Sequence, residues 1–561
     1  MPLGSAIQPS GRLELTWTNK ALRLLADEAG GYEWTRPSDY RVAEVRLLHD
    51  VAHAGSTRRQ RSRAQDNLLI RGDALHALTS LTSLPEFQRE YGGKVKLAYI
   101  DPPFNTQQAF AQYDDALEHS VWLTMMRDRL IQIRDLLAPD GSVWVHLDDT
   151  EQAYCRVLMD EVFGRSNFIA TVVWKKADSP RNSARYFSTD QDYIHVYARN
   201  AATWRPNRLP RTDDTNAAYT NPDDDPRGPW IPGDPFANKP YALGRYQVTG
   251  PTGNAFGPPP GRYWRISEEK FLELDRTGQI YWRGGGEARP RIKRYLSEVG
   301  DLVPRTFWDF MDVGSSGTSS RQIRKLFPDI AVFATPKPEG LIERILQIGS
   351  KPGDIVLDSF AGSGTTAAVA QKMHRRWVTV ERSRDTVEKY TLPRLSKVVA
   401  GDDPGGITKG ADWRGGGGFR VVDVAASMFE RLGDRIVLAH WTSGGALAEC
   451  VAAQTGFVFD DGEPPFAGRK GRQRLAVIDG LVNEDVLALL VDWLESDELL
   501  IVYGTALDPT CRAALSRLRR GSVAKRIPQA VLDDYRGRAQ RTGSIEWPSL
   551  PPTAREPEPV A

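Results

Sequence analysis

From about residue 67 onward, short apolar runs alternate with amphipathic segments. The run KVKLAYI (94–100) is almost continuously apolar at its end, as expected of a strand that is buried on both faces. Residues 120–138 carry apolar positions at helical spacing, and SVWVHLD (142–148) follows as the next strand. Strands that alternate with helices predict an α/β fold with a doubly wound, mostly parallel sheet.

The same alternation returns near the end of a long interruption. LIERILQIGS predicts a helix, DIVLD a strand, TTAAVAQKM a helix and RRWVTVE a strand. A third set, with strands RIVLAHW, RLAVID and ELLIVYG, predicts a smaller C-terminal α/β domain. Residues 13–55 read differently, because RVAEVRLLHDVAH places its apolar residues at helical spacing and so predicts a mainly helical segment.

The interruption is rich in proline and in tryptophan. Twelve of the 37 prolines fall between residues 205 and 265, which excludes long helices there. Tryptophans at 204, 230, 264, 282 and 308 argue against disorder, because disordered segments are poor in aromatic residues. We therefore expect an ordered, loop-rich insertion, the kind of segment that often carries a recognition surface.

These patterns predict seven segments. They are an N-terminal helical segment (1–60), the first half of the main α/β domain (61–200), the insertion (201–330), the second half of the main domain (331–400), a glycine-rich linker (401–420), a C-terminal α/β domain (421–545) and a disordered tail (546–561).

Composition excludes several classes of protein. The apolar runs are too short to span a bilayer, and the N-terminus lacks a basic stretch followed by an apolar one, so we expect a cytoplasmic protein. Cys155, Cys450 and Cys511 are too few and too scattered for a disulfide framework or a zinc site, and no metal is expected. The net charge of +1 is uninformative, but arginine and lysine cluster at 58–63, 289–294 and 517–526, where they could contact phosphates.

A glycine loop lies in DIVLDSFAGSGTTAAVA (354–370). The strand ends on Asp358, and Gly362 and Gly364 allow the backbone to approach a ligand closely. The next strand ends on Glu381, whose carboxylate could accept hydrogen bonds from both hydroxyls of a ribose. The carboxyl ends of strands are where open α/β sheets bind ligands, so this loop predicts a nucleotide-like cofactor.

The loop alone leaves two cofactors open. A phosphate loop would require a lysine after Gly364, and none follows. A nicotinamide dinucleotide would fit the relaxed glycine pattern formed by Gly362, Gly364 and Ala367. S-adenosylmethionine, which has a ribose and a cationic sulfonium but no phosphate, would suit the acidic Asp358 better than a pyrophosphate would.

The stretch LAYIDPPFNT (97–106) places a carboxylate, two prolines and an aromatic ring at the end of a buried strand. The exocyclic amine of a nucleobase is a poor nucleophile, because its lone pair is delocalised into the ring. Asp101 could accept a hydrogen bond from that amine, and the rigidly held carbonyl of Pro102 could accept a second. Phe104 offers a face on which a base flipped out of a duplex could stack.

Together these stretches resemble the DNA amino-methyltransferases of the β order, in which an Asp-Pro-Pro-aromatic motif precedes the cofactor motif. The closest resemblance is to the modification subunits of type III restriction–modification systems. The stretches that carry it, over residues 66–420, are DNLLIRGDALHAL, KVKLAYIDPPFNT, GSVWVHLDD, YTNPDDDPRGPW, TPKPEGLIERIL, DIVLDSFAGSGTT and RRWVTVE. The resemblance implies a Rossmann-like methyltransferase fold with permuted motif order and a target-recognition role for the insertion.

The resemblance also implies the roles of individual residues. The residues that would hold the target base are Asp101, Pro102, Pro103 and Phe104. The residues that would surround S-adenosylmethionine are Asp73, Lys337, Asp358, Phe360, Gly362, Gly364 and Glu381. Many type III relatives have tyrosine where Phe104 stands, a change that preserves stacking but removes a hydroxyl.

The resemblance further implies methylation of adenine N6 in double-stranded DNA, because the initial aspartate resembles adenine-N6 enzymes, whereas cytosine-N4 enzymes usually begin with serine. Cytosine-N4 methylation stays an alternative, and an NAD(P)-binding oxidoreductase is the alternative from another class. A catalytically silent DNA-recognition subunit would need neither motif. The sequence leaves open a homodimer and a restriction or helicase subunit on a separate chain.

Overall fold

The structure is a computed structural model that describes residues 14–26, 31–57, 62–105, 118–331, 333–443 and 445–542. The chain divides into two compact units, one formed by residues 1–205 and 305–561 and the other by residues 206–304. No helix in the described ranges is long and apolar enough to cross a membrane.

The secondary structure alternates strands and helices through most of the chain. The strands are β1 (Arg23–Ala26), β2 (Tyr32–Thr35), β3 (Leu48–Gly55), β4 (Asn67–Arg71), β5 (Val95–Ile100), β6 (Leu137–Leu147), β7 (Phe168–Lys175), β8 (Gln191–Ala198), β9 (Trp230–Gly233), β10 (Phe236–Ala237), β11 (Val248–Thr249), β12 (Ala255–Phe256), β13 (Tyr263–Trp264), β14 (Ile280–Tyr281), β15 (Arg291–Tyr295), β16 (Phe307–Trp308), β17 (Ile355–Asp358), β18 (Arg376–Glu381), β19 (Gly418–Val424), β20 (Phe429–Leu432), β21 (Arg435–Leu438), β22 (Val458–Phe459), β23 (Gly468–Lys470), β24 (Gln473–Val482), β25 (Leu499–Leu507) and β26 (Val523–Arg526). The α-helices are α1 (Tyr40–Ala43), α2 (Ala74–Ser83), α3 (Pro85–Tyr91), α4 (His119–Leu136), α5 (Gln152–Phe163), α6 (Asp213–Asn216), α7 (Glu268–Arg276), α8 (Phe310–Val313), α9 (Ser316–Leu326), α10 (Glu339–Gly349), α11 (Thr365–Lys372), α12 (Arg384–Thr386), α13 (Leu392–Ala400), α14 (Ala446–Thr455), α15 (Glu484–Asp492), α16 (Cys511–Leu518) and α17 (Gln529–Thr542).

A ten-stranded mixed sheet forms the centre of the larger unit, in the order β16-β7-β8-β6-β5-β17-β18-β4-β19-β3. The six consecutive strands from β6 to β19 run parallel to one another. Strand β8 is antiparallel to both β6 and β7, and β3 is antiparallel to β19. The predicted Rossmann-like, doubly wound α/β fold is confirmed.

The sheet reverses its winding between β5 and β17. From β5 the chain continues to β6 on one side, whereas from β17 it continues to β18 on the other side. Open α/β sheets bind ligands in the crevice at such a switch point, outside the carboxyl ends of the strands. The sequence places the Asp-Pro-Pro-Phe motif directly after β5 and the glycine loop directly after β17.

The prediction of a helical N-terminal segment (1–60) is wrong for the described residues. In residues 23–26 and 31–55, the described parts of this segment, the chain forms β1, β2 and β3 and the four-residue helix α1. Strand β3 pairs over its whole length with β19, which lies more than 350 residues later in the sequence. The apolar side chains of Val45, Leu47 and Leu48 are buried, but they lie after the end of α1 at Ala43, just before β3 or at its first residue.

The predicted glycine-rich linker (401–420) is part of the packed structure. Trp413 is buried and donates from its indole Nε1 to the carbonyl of Val398 at 2.8 Å. Asp403 is also buried, and residues 418–420 open β19 inside the central sheet. The segment therefore belongs to the core of the larger unit, because it buries side chains that a free linker would leave in water.

The C-terminal segment forms its own five-stranded sheet in the order β22-β23-β24-β25-β26. Residues 421–424 nevertheless belong to the central sheet, so the predicted boundary at 421 is wrong. Val451, Tyr503 and Val531 share one continuous hydrophobic core with Leu48 and Leu68. The segment is joined to the main domain through this core, and the predicted tail (546–561) lies outside the described residues.

The insertion is shorter than predicted. The separate unit spans 206–304 rather than 201–330, because β16 joins the central sheet beside β7. The unit contains a three-stranded sheet, β14-β15-β9, and two strand pairs, β10–β13 and β11–β12. Its small core consists of Phe236, Val248, Trp264, Phe271 and Ile280, which explains how a proline-rich segment stays ordered.

Candidate functional site

Four acidic residues lie at the carboxyl ends of four adjacent parallel strands. Asp101 follows β5, Asp358 ends β17, Glu381 ends β18, and Asp73 follows β4 by two residues. Because parallel strands end at the same edge of a sheet, these residues share one crevice edge.

The carboxylate of Asp101 has two unlike oxygens. Lys337, which is buried, donates from Nζ to Oδ2 at 2.6 Å. Oδ1 is also shielded from solvent, and it has no hydrogen-bond partner among the described residues. Buried polar atoms are normally hydrogen-bonded, so an unsatisfied acceptor at a crevice marks a place where a ligand donor would bind.

The ring of Phe104 is held in a fixed position beside this carboxylate. It stacks on His146 with ring centroids 5.8 Å apart and an interplanar angle of 28°, and the ammonium of Lys337 lies 4.9 Å from its centroid. The preceding carbonyl, that of Pro103, accepts a hydrogen bond from Trp122 Nε1 at 2.7 Å. The structure therefore brings the predicted base-binding residues together with Lys337 in one constellation.

Behind Phe104 lies a buried hydrogen-bonded chain that sequence reasoning missed. His146 contacts the hydroxyl of Tyr99 through Nδ1 at 2.8 Å and Asp192 Oδ2 through Nε2 at 3.1 Å. Lys176 donates to the other oxygen of Asp192 at 2.6 Å. An ionised carboxylate only accepts, so Nε2 carries the proton and Nδ1 accepts from Tyr99. Burial lowers the pKa of His146, which favours this neutral tautomer.

The glycine loop wraps around the carboxylate of Glu381. Its Oε2 accepts from the backbone N–H of Gly362 at 2.9 Å, and its Oε1 accepts from Ser383 N–H at 2.8 Å. Gly362 and Gly364 have φ values of +50° and +76°, in the left-handed region that favours glycine. The backbone N–H of Arg382 also bonds this carboxylate, and its two oxygens together offer about four acceptor sites, so Glu381 is still able to accept from a ribose hydroxyl.

Asp358 is buried at the start of this loop and accepts a hydrogen bond from the backbone N–H of Phe360 at 2.9 Å. Burial raises the pKa of Asp358 to about 7, and the negative charges of Asp101 and Glu381 act in the same direction. A carboxyl that is half-ionised near neutrality in a cleft is a candidate for stabilising a bound cation.

Asp73 has a structural partner that was not predicted. Both of its oxygens accept from Arg129 Nη2 at 3.0 Å, and Oδ1 also caps α2 through the backbone N–H of Leu75. Although burial opposes the change, Arg129 lowers the pKa of Asp73. Asp73 also lines a small cleft, together with Ala26, Arg46, Gly72, Leu75, His76, Arg382 and Val424.

A buried ionic network lies immediately after Lys337 and Pro338. Glu339 accepts from Lys372 at 2.8 Å and from Arg394 at 2.8 Å. Lys372 also donates to Asp403, and Arg394 donates to the hydroxyl of Thr365 at 2.8 Å, at the end of the glycine loop. The network therefore connects the segment that holds Lys337 with the loop that follows β17.

The predicted phosphate-contacting clusters are largely engaged within the chain. Arg63 pairs with Glu86, and Lys293 is buried between Asp223 and Asp225. In the third cluster, Arg519 and Arg526 donate to backbone carbonyls, whereas Arg58, Arg59 and Arg61 lie outside the described residues. Within the described ranges, no group of three or more His, Cys, Asp or Glu could hold a metal ion.

The chain is similar in sequence to known restriction–modification proteins and methyltransferases. The probable type III restriction–modification enzyme HindVI Mod subunit of Haemophilus influenzae is 29% identical over 416 residues, which cover 64% of this chain and 54% of that protein. Type II methyltransferase M.EcaI of Enterobacter cloacae is 30% identical over 302 residues, covering 52% of this chain and 63% of that protein. The type III restriction–modification enzyme StyLTI Mod subunit of Salmonella typhimurium is 27% identical over 508 residues, covering 80% of this chain and 73% of that protein.

The chain thus spans less than two thirds of the length of the first two relatives. The DNA methylase family N6_N4_Mtase matches residues 95–391, which run from β5 through the insertion and the glycine loop to the end of β18 and beyond. This match covers more than half of the chain, and the chain belongs to the N6_N4_Mtase family of DNA methylases.

Proposed function

We propose that the protein transfers a methyl group from S-adenosylmethionine to the N6 atom of an adenine in duplex DNA. The observation that supports this most directly is the buried Oδ1 of Asp101, which has no hydrogen-bond partner in the described part of the chain and lies near the ring of Phe104. An exocyclic amine that stacks on Phe104 would donate a hydrogen bond to that oxygen. This contact would localise the nitrogen lone pair and so raise its nucleophilicity.

Each member of the constellation has a distinct task. Lys337 neutralises Oδ2 and keeps the carboxylate turned toward the base, so that Oδ1 is available. The chain behind Phe104 fixes the ring, because His146 is held on both sides by Tyr99 and Asp192. Positioning of this kind is effective, since holding reacting groups in line removes much of the entropic barrier of a bimolecular step.

The residues of the glycine loop fit S-adenosylmethionine. When bound, that cofactor supplies an electrophilic methyl group on a cationic sulfonium. Asp358 would balance the cationic end, Glu381 would accept from the ribose, and Gly362 and Gly364 would let the backbone approach. Phe360 and Asp73 would complete the surroundings. A pyrophosphate would meet the carboxylates of Asp358 and Glu381, which disfavours the oxidoreductase alternative.

Adenine is favoured over cytosine because the motif begins with aspartate, a preference that comes from resemblance. We assign base-sequence recognition to the unit at 206–304, which occupies the family's target-recognition position between β8 and β16. Its buried Trp264 and its ion pairs give a rigid base for exposed loops. A homodimer and a separate restriction or helicase chain are further expectations.

The activity is tested by incubating the protein with radiolabelled S-adenosylmethionine and duplex DNA, followed by modification-sensitive sequencing of the product. We expect label in the DNA and N6-methyladenine at one recurrent sequence motif. N4-methylcytosine would support the alternative within the class. Absence of label, together with quenching of reduced nicotinamide fluorescence on binding, would support the oxidoreductase.

The affinity for S-adenosylmethionine is expected to rise with pH. Asp358, with a pKa of about 7, is mostly neutral at pH 6 and mostly ionised at pH 8. Because the ionised form attracts the sulfonium, binding should tighten by about tenfold over this interval, the change in the ionised fraction of such a group. Calorimetric titration with S-adenosylmethionine at pH 6 and pH 8 measures this change in affinity. The variant Asp358→Asn should bind weakly and with little pH dependence, whereas an equal pH dependence in both proteins would contradict the assignment.

A further inference from the structure

The loop between β7 and β8 (residues 177–190, the β7–β8 loop) rises from the same sheet edge as the Asp-Pro-Pro-Phe motif, because β7 runs parallel to β6 and β5. Its base is closed by hydrogen bonds from the N–H groups of Lys176 and Ala177 to the carbonyl of Asp190, at 2.8 and 3.2 Å. A cross-link from Arg181 N–H to Ser188 Oγ at 2.8 Å closes it again nearer the tip. Hydrogen bonds at its base and near its tip therefore hold the loop in a defined conformation.

Two aromatic side chains stand in solvent at this tip. Tyr186 is 80% exposed and Phe187 is 91% exposed, the highest value for a large hydrophobic side chain in the described ranges. Leaving such a side chain in water forgoes about 1.5–3 kcal/mol that burial would contribute. A well-anchored loop that presents two adjacent aromatic rings is typical of a surface that meets a partner.

The charge of the tip favours an anionic partner. Residues 179–187 include Arg181 and Arg185 and no acidic residue. Both arginines are exposed, and among the described residues neither has an acidic partner; Arg185 lies over the ring of Tyr186 at 5.2 Å. This sets them apart from Arg63 and Lys293, which are paired with carboxylates. Exposed arginine next to aromatic rings suits nucleic acid, which offers phosphates and flat bases.

The base of the loop is physically linked to the base-binding residues. Lys176, at the foot of the loop, donates to Asp192 at 2.6 Å. Asp192 binds His146, and His146 stacks on Phe104. A chain of three direct contacts therefore fixes the foot of the loop relative to the ring on which the target base would stack.

We propose that Phe187 inserts into the DNA base stack at the position left empty when the target base is flipped out, with Arg181 and Arg185 on the flanking phosphates. This inference rests on the proposed function, since a base inside a duplex has to leave the stack to reach Asp101. The empty position exposes the apolar faces of the neighbouring base pairs, and an inserted aromatic ring covers them. Phe187 thereby favours the flipped state without touching the reacting atoms.

The test compares two duplex oligonucleotides that contain the sequence motif identified by sequencing. One is fully paired, and in the other the target base lies opposite an abasic site. On a fully paired oligonucleotide, Phe187→Ala should methylate roughly tenfold to a hundredfold more slowly than wild type, the loss expected from removing one aromatic stack. When the target base lies opposite an abasic site, flipping is already favoured, and the loss should shrink to about twofold or less. Phe187→Trp should retain most of the activity on the paired duplex.

Trp493→Ala is the matched control, because Trp493 is an exposed aromatic residue (63%) outside this loop and should leave both rates unchanged. Equal rates of wild type and Phe187→Ala on the paired duplex would overturn the inference and would point instead to a protein partner for the loop. An equal loss on both substrates would overturn it too, since it would show a defect unrelated to flipping. Failure of the wild type to methylate DNA would refute the proposed function itself.

Discussion

Replacing Asp101 by alanine is expected to lower the rate of methyl transfer by at least about 10²–10³-fold, the usual loss when a preorganised polar contact to the reacting centre is removed. The variant lacks the acceptor Oδ1 and leaves the buried ammonium of Lys337 without its carboxylate partner. Single-turnover methylation of duplex DNA with radiolabelled S-adenosylmethionine measures the effect.

Two further variants separate chemistry from packing. Asp101→Asn keeps one acceptor oxygen and the shape of the side chain but loses the charge, so its rate should lie between those of wild type and Asp101→Ala. Phe104→Tyr preserves stacking, so its rate of methyl transfer should remain within about tenfold of wild type. The face of the ring contacts the base, whereas the added hydroxyl lies on the edge of the ring. If Asp101→Ala methylates DNA as fast as wild type, the assignment of this motif is wrong.

Replacing Glu339 by alanine is expected to destabilise the protein by about 3–5 kcal/mol, the typical result of removing one partner from a buried ionic network. Lys372 and Arg394 would each lose a carboxylate at 2.8 Å while remaining almost completely buried. The N–H of Ile407, which donates to Glu339 at 3.0 Å, would lose its acceptor as well.

Glu343→Ala, on the same helix but with no ion pair among the described residues, is the control and should cost much less. Thermal unfolding followed by circular dichroism compares the two midpoints. Because the network joins the Lys337 segment to Thr365, Glu339→Ala should also weaken S-adenosylmethionine binding below the unfolding temperature. Equal midpoints for the two variants would show that the network contributes little.

Local patterns were sufficient to predict the parts of the fold that lie in single segments. Strands β5, β17 and β18 and the loops after them follow from apolar runs that end on Asp101, Asp358 and Glu381. The prediction of a helical N-terminal segment was wrong because β3 forms by pairing with β19. A local sequence pattern contains no information about a strand so distant in the sequence.

The hydrogen-bonded chain behind Phe104 could not be predicted from the sequence for a related reason. His146, Asp192 and Lys176 come from three different segments, and their shared role exists only once β6, β7 and β8 are adjacent. One local signal was available: a histidine near the carboxyl end of a buried strand, in VWVHLD, requires a polar partner. A single sequence cannot name that partner.

The adjacency of β5 and β17 has a consequence for synthesis of the chain. Asp358 follows Asp101 by 257 residues, although the two strands are neighbours in the sheet. At roughly 5–20 residues per second, the ribosome needs about 13–50 s to pass from one to the other. Throughout that interval the nascent β5 has an apolar, unpaired edge, which is prone to association with other chains. Newly made protein is therefore expected to depend on chaperones until the glycine loop has emerged.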